Sequence, residues 1–172
     1  MTASDDDEVV DRRRIELVEP GLSEAPIHYE SRRLDVAATA ALVAEVRASV
    51  VRATSAALDE LARALPGPVR SISLRTWPLE FPDDIAVQRR APYEARADAI
   101  MYRQELSELA YARGWEVNVY DAGAVLDQVA TVLAERADKV LNGPRATIGP
   151  PWTKDHRVAL AAAILAGRAA TR

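Results

Sequence analysis

From Asp35 to Leu65, apolar residues recur three or four apart, at Val36, Ala40, Val43, Val46, Val50, Ala53, Ala57, Leu61 and Leu65. This spacing predicts one face of a helix. Unbroken, the helix would run ~45 Å at 1.5 Å per residue, so a bend is expected near Ala48 or Ser49. Pro66-Gly67-Pro68 stops it. Ahead of it, Ile15-Glu16-Leu17-Val18 alternates up to Glu19-Pro20-Gly21, and Pro26-Ile27-His28-Tyr29-Glu30 resumes an extended pattern, which predicts a short antiparallel hairpin. Alternation returns between Val69 and Trp77 and predicts a strand over 70–77. The proline-rich, charged stretch from Leu79 to Pro92 reads as a loop.

A helix is expected from Tyr93, with Ala95, Ala99, Tyr102, Leu106 and Leu109 on one face, ending at Gly114. A strand over 115–120 follows, and then a helix through Val125, Val129 and Leu133 that Asp121 would cap. Asn142 to Pro151 reads as a loop, and Thr153 as the N-cap of a last helix carrying Val158, Ala162 and Leu165. Helices between successive strands imply right-handed crossovers and parallel pairing, so the sheet is expected to be mixed. Residues 1–11 are acidic and poor in large apolar groups, the composition of a disordered tail. Residues 12–172 then form a single α/β domain.

Composition narrows the chemistry. The chain has no cysteine, which excludes disulfides, thiolate metal sites and cysteine nucleophiles. Its acidic start is the opposite of a signal n-region, and no apolar run approaches the ~20 residues of a membrane span. The expectation is a cytoplasmic protein without membrane contact. A net charge of -4 argues against nucleic-acid binding by the whole surface. Arginines nevertheless cluster at Arg12–Arg14, at Arg32 and Arg33, and at Arg89, Arg90, Arg96 and Arg103. Such clusters serve either as a solvated face or as phosphate ligands. No phosphate-binding glycine loop, dinucleotide fingerprint, zinc-protease helix or serine elbow is present, and the only histidines are His28 and His156.

Carboxylates remain. Two-metal phosphodiester cleavage needs several acids converging on cations ~3.5–4 Å apart, and hard divalent ions prefer oxygen ligands. Glu19 and Asp121 at predicted strand ends, with Asp155 at a helix start, would meet at one end of the sheet. The order of elements resembles the RNase H-like fold, specifically the RuvC-type Holliday junction resolvases. Val18-Glu19-Pro20-Gly21-Leu22 is similar to that family's Ile-Asp-Pro-Gly-Leu. The run from Ala112 to Tyr120 is similar to its helix, glycine, short strand and tyrosine, and Asp155-His156-Arg157-Val158-Ala159-Leu160 to its closing helix. The likeness spans 15–166 in short motifs. Glu19 stands in place of an aspartate, Arg75 and Thr76 stand where the family's strand carries a glutamate, Glu80 and Asp84 fall only in the loop beyond, and no second aspartate follows His156 by one turn.

The resemblance implies a Mg- or Mn-dependent nuclease or resolvase-like protein. Glu19, Asp155 and His156 would be catalytic, Glu19, Asp121 and Asp155 would ligate metal, and Arg89, Arg90, Arg96, Arg103 and Arg145 would hold nucleic acid. The alternative is an RNase H-like module that kept the scaffold and lost the acids, and that binds a protein partner or dimerises through its long alanine-rich helix. Each residue also has a structural role open to it. Asp121 is a helix cap, Asp155 and His156 are first-turn residues beside Thr153, Glu19 is a turn residue, Asp98 is a helix-surface charge, and Trp152 is a plug that fixes the last helix. A base-stacking role is the other reading of Trp77 and Trp152.

Overall fold

The structure, a computed structural model, describes residues 1–169. In chain order its elements are β1 (Thr2–Ala3), β2 (Val9–Asp11), α1 (Val36–Ala64), β3 (Ser71–Arg75), α2 (Ile85–Gln88), α3 (Glu94–Tyr111), β4 (Glu116–Tyr120), α4 (Val125–Leu133), α5 (Ala137–Asn142), α6 (Pro144–Ile148) and α7 (Lys154–Ala169). Short 3-10 turns lie at Glu30–Arg32 and Ala134–Arg136. The class is mixed α/β and mostly helical. The expected mixed sheet is instead two separate pairs, β1 with β2 antiparallel and β3 with β4 parallel. The chain divides into two compact units, Met1–Arg14 with Leu65–Thr76 and Gly114–Arg172, and Ile15–Ala64 with Trp77–Arg113. No helix among the described residues is long and apolar enough to cross a membrane.

In the unit containing α1 and α3, the core is Ile27, Val43, Val46, Val50, Ala97 and Met101, with Val18, Leu42, Phe81 and Ile85 packed around it. Asp35 caps α1, its carboxylate accepting from the Ala38 N–H at 2.8 Å. The helix is continuous from Val36 to Ala64, with no interruption at Ala48 or Ser49. Its buried face includes Thr39, Ser49 and Thr54, each fully shielded, while Val36 lies exposed.

Those hydroxyls explain why 15–18 is not a strand. Ser49 Oγ accepts from the Glu19 N–H at 2.8 Å, and Thr54 Oγ1 donates to the Leu17 carbonyl at 3.5 Å. The extended segment is therefore tied to a helix rather than to a β ladder. The predicted strand at 26–30 is absent for a similar reason. The Ile27 and His28 N–H groups both donate to the Asp98 carboxylate at 2.9 Å, and Tyr102 Oη donates to the Glu24 carbonyl at 2.7 Å. Within the expected loop, Asp84 caps the short helix α2 through the Ala86 N–H at 2.7 Å.

The other unit holds the parallel pair. Ser71 to Arg75 align with Glu116 to Tyr120 in continuous register, in the parallel sense that helices between successive strands imply. α3 is followed by Gly114 at φ +71°, a left-handed conformation that glycine adopts without steric cost. Helices α4 and α7 supply the core: Val125, Val129 and Leu133 meet Val158, Leu160, Ala161, Ala162 and Ile164. α7 also packs on β3, where Ser73 Oγ donates to the Ala162 carbonyl at 3.2 Å.

Residues 1–11, expected to be disordered, form the β1–β2 hairpin instead. Met1, Ala3 and Val9 pack against the α4–α7 core. Asp7, at φ +66° and nearly buried, bonds Arg136 Nη2 and Arg168 Nη2 at 2.6 Å each. Paired carboxylates and a few apolar contacts thus offset the ordering cost that the acidic composition suggests would be prohibitive.

Candidate functional site

The C-terminal end of the parallel pair is where ligands bind in open α/β sheets, and here it gathers three of the residues singled out by sequence. Asp121 directly follows β4. Its Oδ1 accepts from the Gly123 N–H at 2.8 Å, and its carbonyl accepts from the N–H groups of Ala124 and Val125. This is an Asx turn ahead of the helix, so the expected cap sits three residues before Ala124, the N-cap of α4. Asp155 occupies the first turn of α7 and is largely exposed, with Oδ1 3.0 Å from Nη2 of Arg75 at the end of β3. Arg75 is one of the two residues, with Thr76, that stand where the resemblance expects a glutamate.

The His156 side chain caps the start of α7. Thr153 precedes α7, and its carbonyl accepts from the Arg157 N–H. The His156 Nδ1 accepts from the Thr153 N–H at 3.2 Å and lies 2.8 Å from its hydroxyl. An imidazole therefore takes the place that Glu or Gln holds in a capping box. Accepting at Nδ1 assigns the ring proton to Nε2. The ring stacks on Trp152 at 5.5 Å, and Trp152 Nε1 donates to the Leu141 carbonyl at 2.8 Å, which fixes the start of α7.

Beside this end lies a cleft of about 210 Å³ lined by Ser73, Asn118, Tyr120, Asp121 and Gln128, with Leu165 on its apolar side. The Asn118 amide nitrogen is buried there without a hydrogen-bond partner among the described residues. The alternation Val117-Asn118-Val119 marked Asn118 as the polar position of the strand, but nothing in the sequence placed it beside α4 and α7.

Glu19 belongs to the other unit, in a two-point ion pair with Arg52, Oε1 to Nε at 3.1 Å and Oε2 to Nη2 at 2.5 Å. The bond to Arg52 holds its carboxyl below the ordinary range. Arg89 is half-buried, and its Nη2 donates to the carbonyls of Ser31 and Leu34. Arg90 and Arg96 are exposed, Arg103 is half-buried on α3, and Arg145 is exposed on α6 in the unit of the parallel pair.

Asp98 is not the surface charge that the sequence suggests. It is 8% exposed, and burial pushes its carboxyl up against the opposing effect of its two N–H bonds. Burial and the charges of Asp98 and Glu24 push Tyr102 up to about 12. His28 Nδ1 and Glu94 Oε2 are also buried without hydrogen-bond partners among the described residues.

No group of three or more His, Asp or Glu side chains among the described residues is arranged to hold a metal ion. The acids that the resemblance assigns to Mg or Mn are instead bonded to Arg52, to the Gly123 N–H and to Arg75, a donor set that does not fit a two-metal centre. Compared with known proteins, the chain matches no family model, no curated protein and no solved structure.

Proposed function

We propose that the chain is a non-catalytic RNase H-like module that works through protein contacts. The observation that carries this reading is the Arg75–Asp155 pair. A guanidinium stands at the strand end facing the one acid of the closing helix, an organic cation where a nuclease of this kind would draw a divalent ion. The cap that occupies His156 Nδ1 and the pairing of Glu19 with Arg52 support the same reading. One observation favours the competing reading, a Mg- or Mn-dependent nuclease: Asp121 and Asp155 share the C-terminal end of the parallel pair.

Incubation of the purified chain with branched and single-stranded DNA and RNA in Mg²⁺ or Mn²⁺ separates the two. The expected result is no cleavage, with Asp155→Asn and His156→Glu both folding and assembling like the unaltered chain, the latter because glutamate is the ordinary capping-box residue. Metal-dependent cleavage abolished by Asp155→Asn would overturn the reading.

A further inference from the structure

Resting on that reading, we infer that the outer edge of β4 is the contact surface and that its partner is a second copy of this chain, paired antiparallel about a two-fold axis through Asn118. The ladder fixes which groups are free. Glu116 N–H donates to the Arg70 carbonyl, and Thr76 N–H donates to the Tyr120 carbonyl. By alternation Glu116, Asn118 and Tyr120 face β3, and the N–H and C=O groups of Val117 and Val119 point the other way. No strand among the described residues takes that side. Val119 is 59% exposed.

Open edges are ordinarily blunted by charged side chains, above all lysine, by proline or by a bulge. From Glu116 to Tyr120 the one charge is Glu116 at the strand start, there is neither lysine nor proline, and the register with β3 runs without a shift. An edge left open in this way is suited to pairing.

The occupant follows from self-complementarity. With the axis at Asn118, Val117 of one copy lies opposite Val119 of the other, and both are residues whose backbone groups point outward. The two therefore exchange both bonds of a hydrogen-bonded pair, and symmetry repeats the set. The same alignment covers the exposed Val119 with a β-branched partner. Glu116 falls opposite Tyr120 and Asp121 opposite Trp115, so no acid faces an acid. The product is a continuous sheet in the order β3, β4, β4, β3.

Sedimentation equilibrium of the full chain is expected to give twice its 18.8 kDa mass. Val119→Lys and Val119→Pro should both return it to a single chain with unchanged far-UV circular dichroism, because the Val119 N–H lies outside the β3–β4 ladder. Two variants guard against one failing to fold. The chain has no cysteine, so Asn118→Cys supplies a lone thiol on the axis. Opposed residues of a non-hydrogen-bonded pair stand about 4.5 Å apart at Cα, within the disulfide range of about 4.4–6.8 Å, and mild oxidation should yield a covalent dimer that Ala48→Cys on α1 does not form. A single-chain mass for the unaltered protein would overturn the inference. So would a dimer that survives both Val119 variants. If that dimer were lost in Val51→Lys, the contact would lie on α1 and the wider reading would stand, whereas metal-dependent cleavage would remove the reading itself.

Discussion

Asp98→Ala is expected to destabilise the unit built on α1 and α3 by about 2–6 kcal/mol, the cost of leaving one buried and one part-buried backbone donor without an acceptor at about 1–3 kcal/mol each. Among the described residues the carboxylate is the only acceptor for the Ile27 and His28 N–H groups, and Ile27 is 1% exposed. Asp98→Asn keeps one oxygen but turns an amide N–H₂ toward the other donor, so it should cost about half as much on the same scale.

The effect is pH-dependent, with a definite sign. Burial raises the folded-state carboxyl above its ordinary 3.8. Its linkage contribution is therefore complete below that value and is lost as pH rises through the elevated one. The deficit of Asp98→Asn relative to the unaltered chain should accordingly widen on acidification across that interval. Urea unfolding at a series of pH values measures it, and amide exchange at Ile27 and His28 shows whether the loss is local. Equal stability of the alanine variant would mean that the 25–31 segment does not depend on this carboxylate.

Leu160→Ala should be comparably severe in the other unit, at about 2–5 kcal/mol for a large-to-small change at a fully enclosed site. Leu160 is completely buried in the core that joins α7 to α4. The same helix carries Asp155 and His156 in its first turn, so weakening its packing should also loosen the Arg75–Asp155 pair. Leu160→Met, which nearly conserves volume, is expected to cost less than about 1.5 kcal/mol. Denaturation monitored by exchange of α7 amides separates a packing loss from a local fraying of the helix start.

The parts of the fold that sequence made legible are those whose periodicity reports burial directly. The 70–77 and 115–120 runs became β3 and β4 in parallel, α3 stopped before Gly114, and Thr153 set the start of α7. The failures share a cause. At 15–18 and 26–30 an extended pattern is present, but the backbone found side-chain partners on helices, Ser49, Thr54 and Asp98, instead of a neighbouring strand. Alternation reports which side of an extended segment is apolar, and it cannot say what accepts the N–H groups. The acidic start was misread for a related reason, since composition counts Asp7 as a charge to be solvated, whereas two arginines about 130 and 160 residues away neutralise it.

The candidate site was legible in part. Asp121, Asp155 and His156 were placed correctly at a strand end and a helix start, and the resemblance marked Arg75 as a departure from its pattern. That Arg75 is the partner of Asp155 is a contact between residues 80 apart in sequence, which no local pattern encodes. The Thr153–His156 cap was within reach, because a capping box has a fixed spacing, but histidine is not its usual residue.

Titrating Mn²⁺ into the isotope-labelled protein and following amide relaxation shows whether these acids are held by the chain's own cations and backbone donors or by metal. The expected result is only weak, non-saturating broadening spread over exposed carboxylates, with Gly123 and the first turn of α7 no more affected than the rest. Saturable broadening centred on Asp121 and Asp155, and abolished by Asp155→Asn, would contradict it.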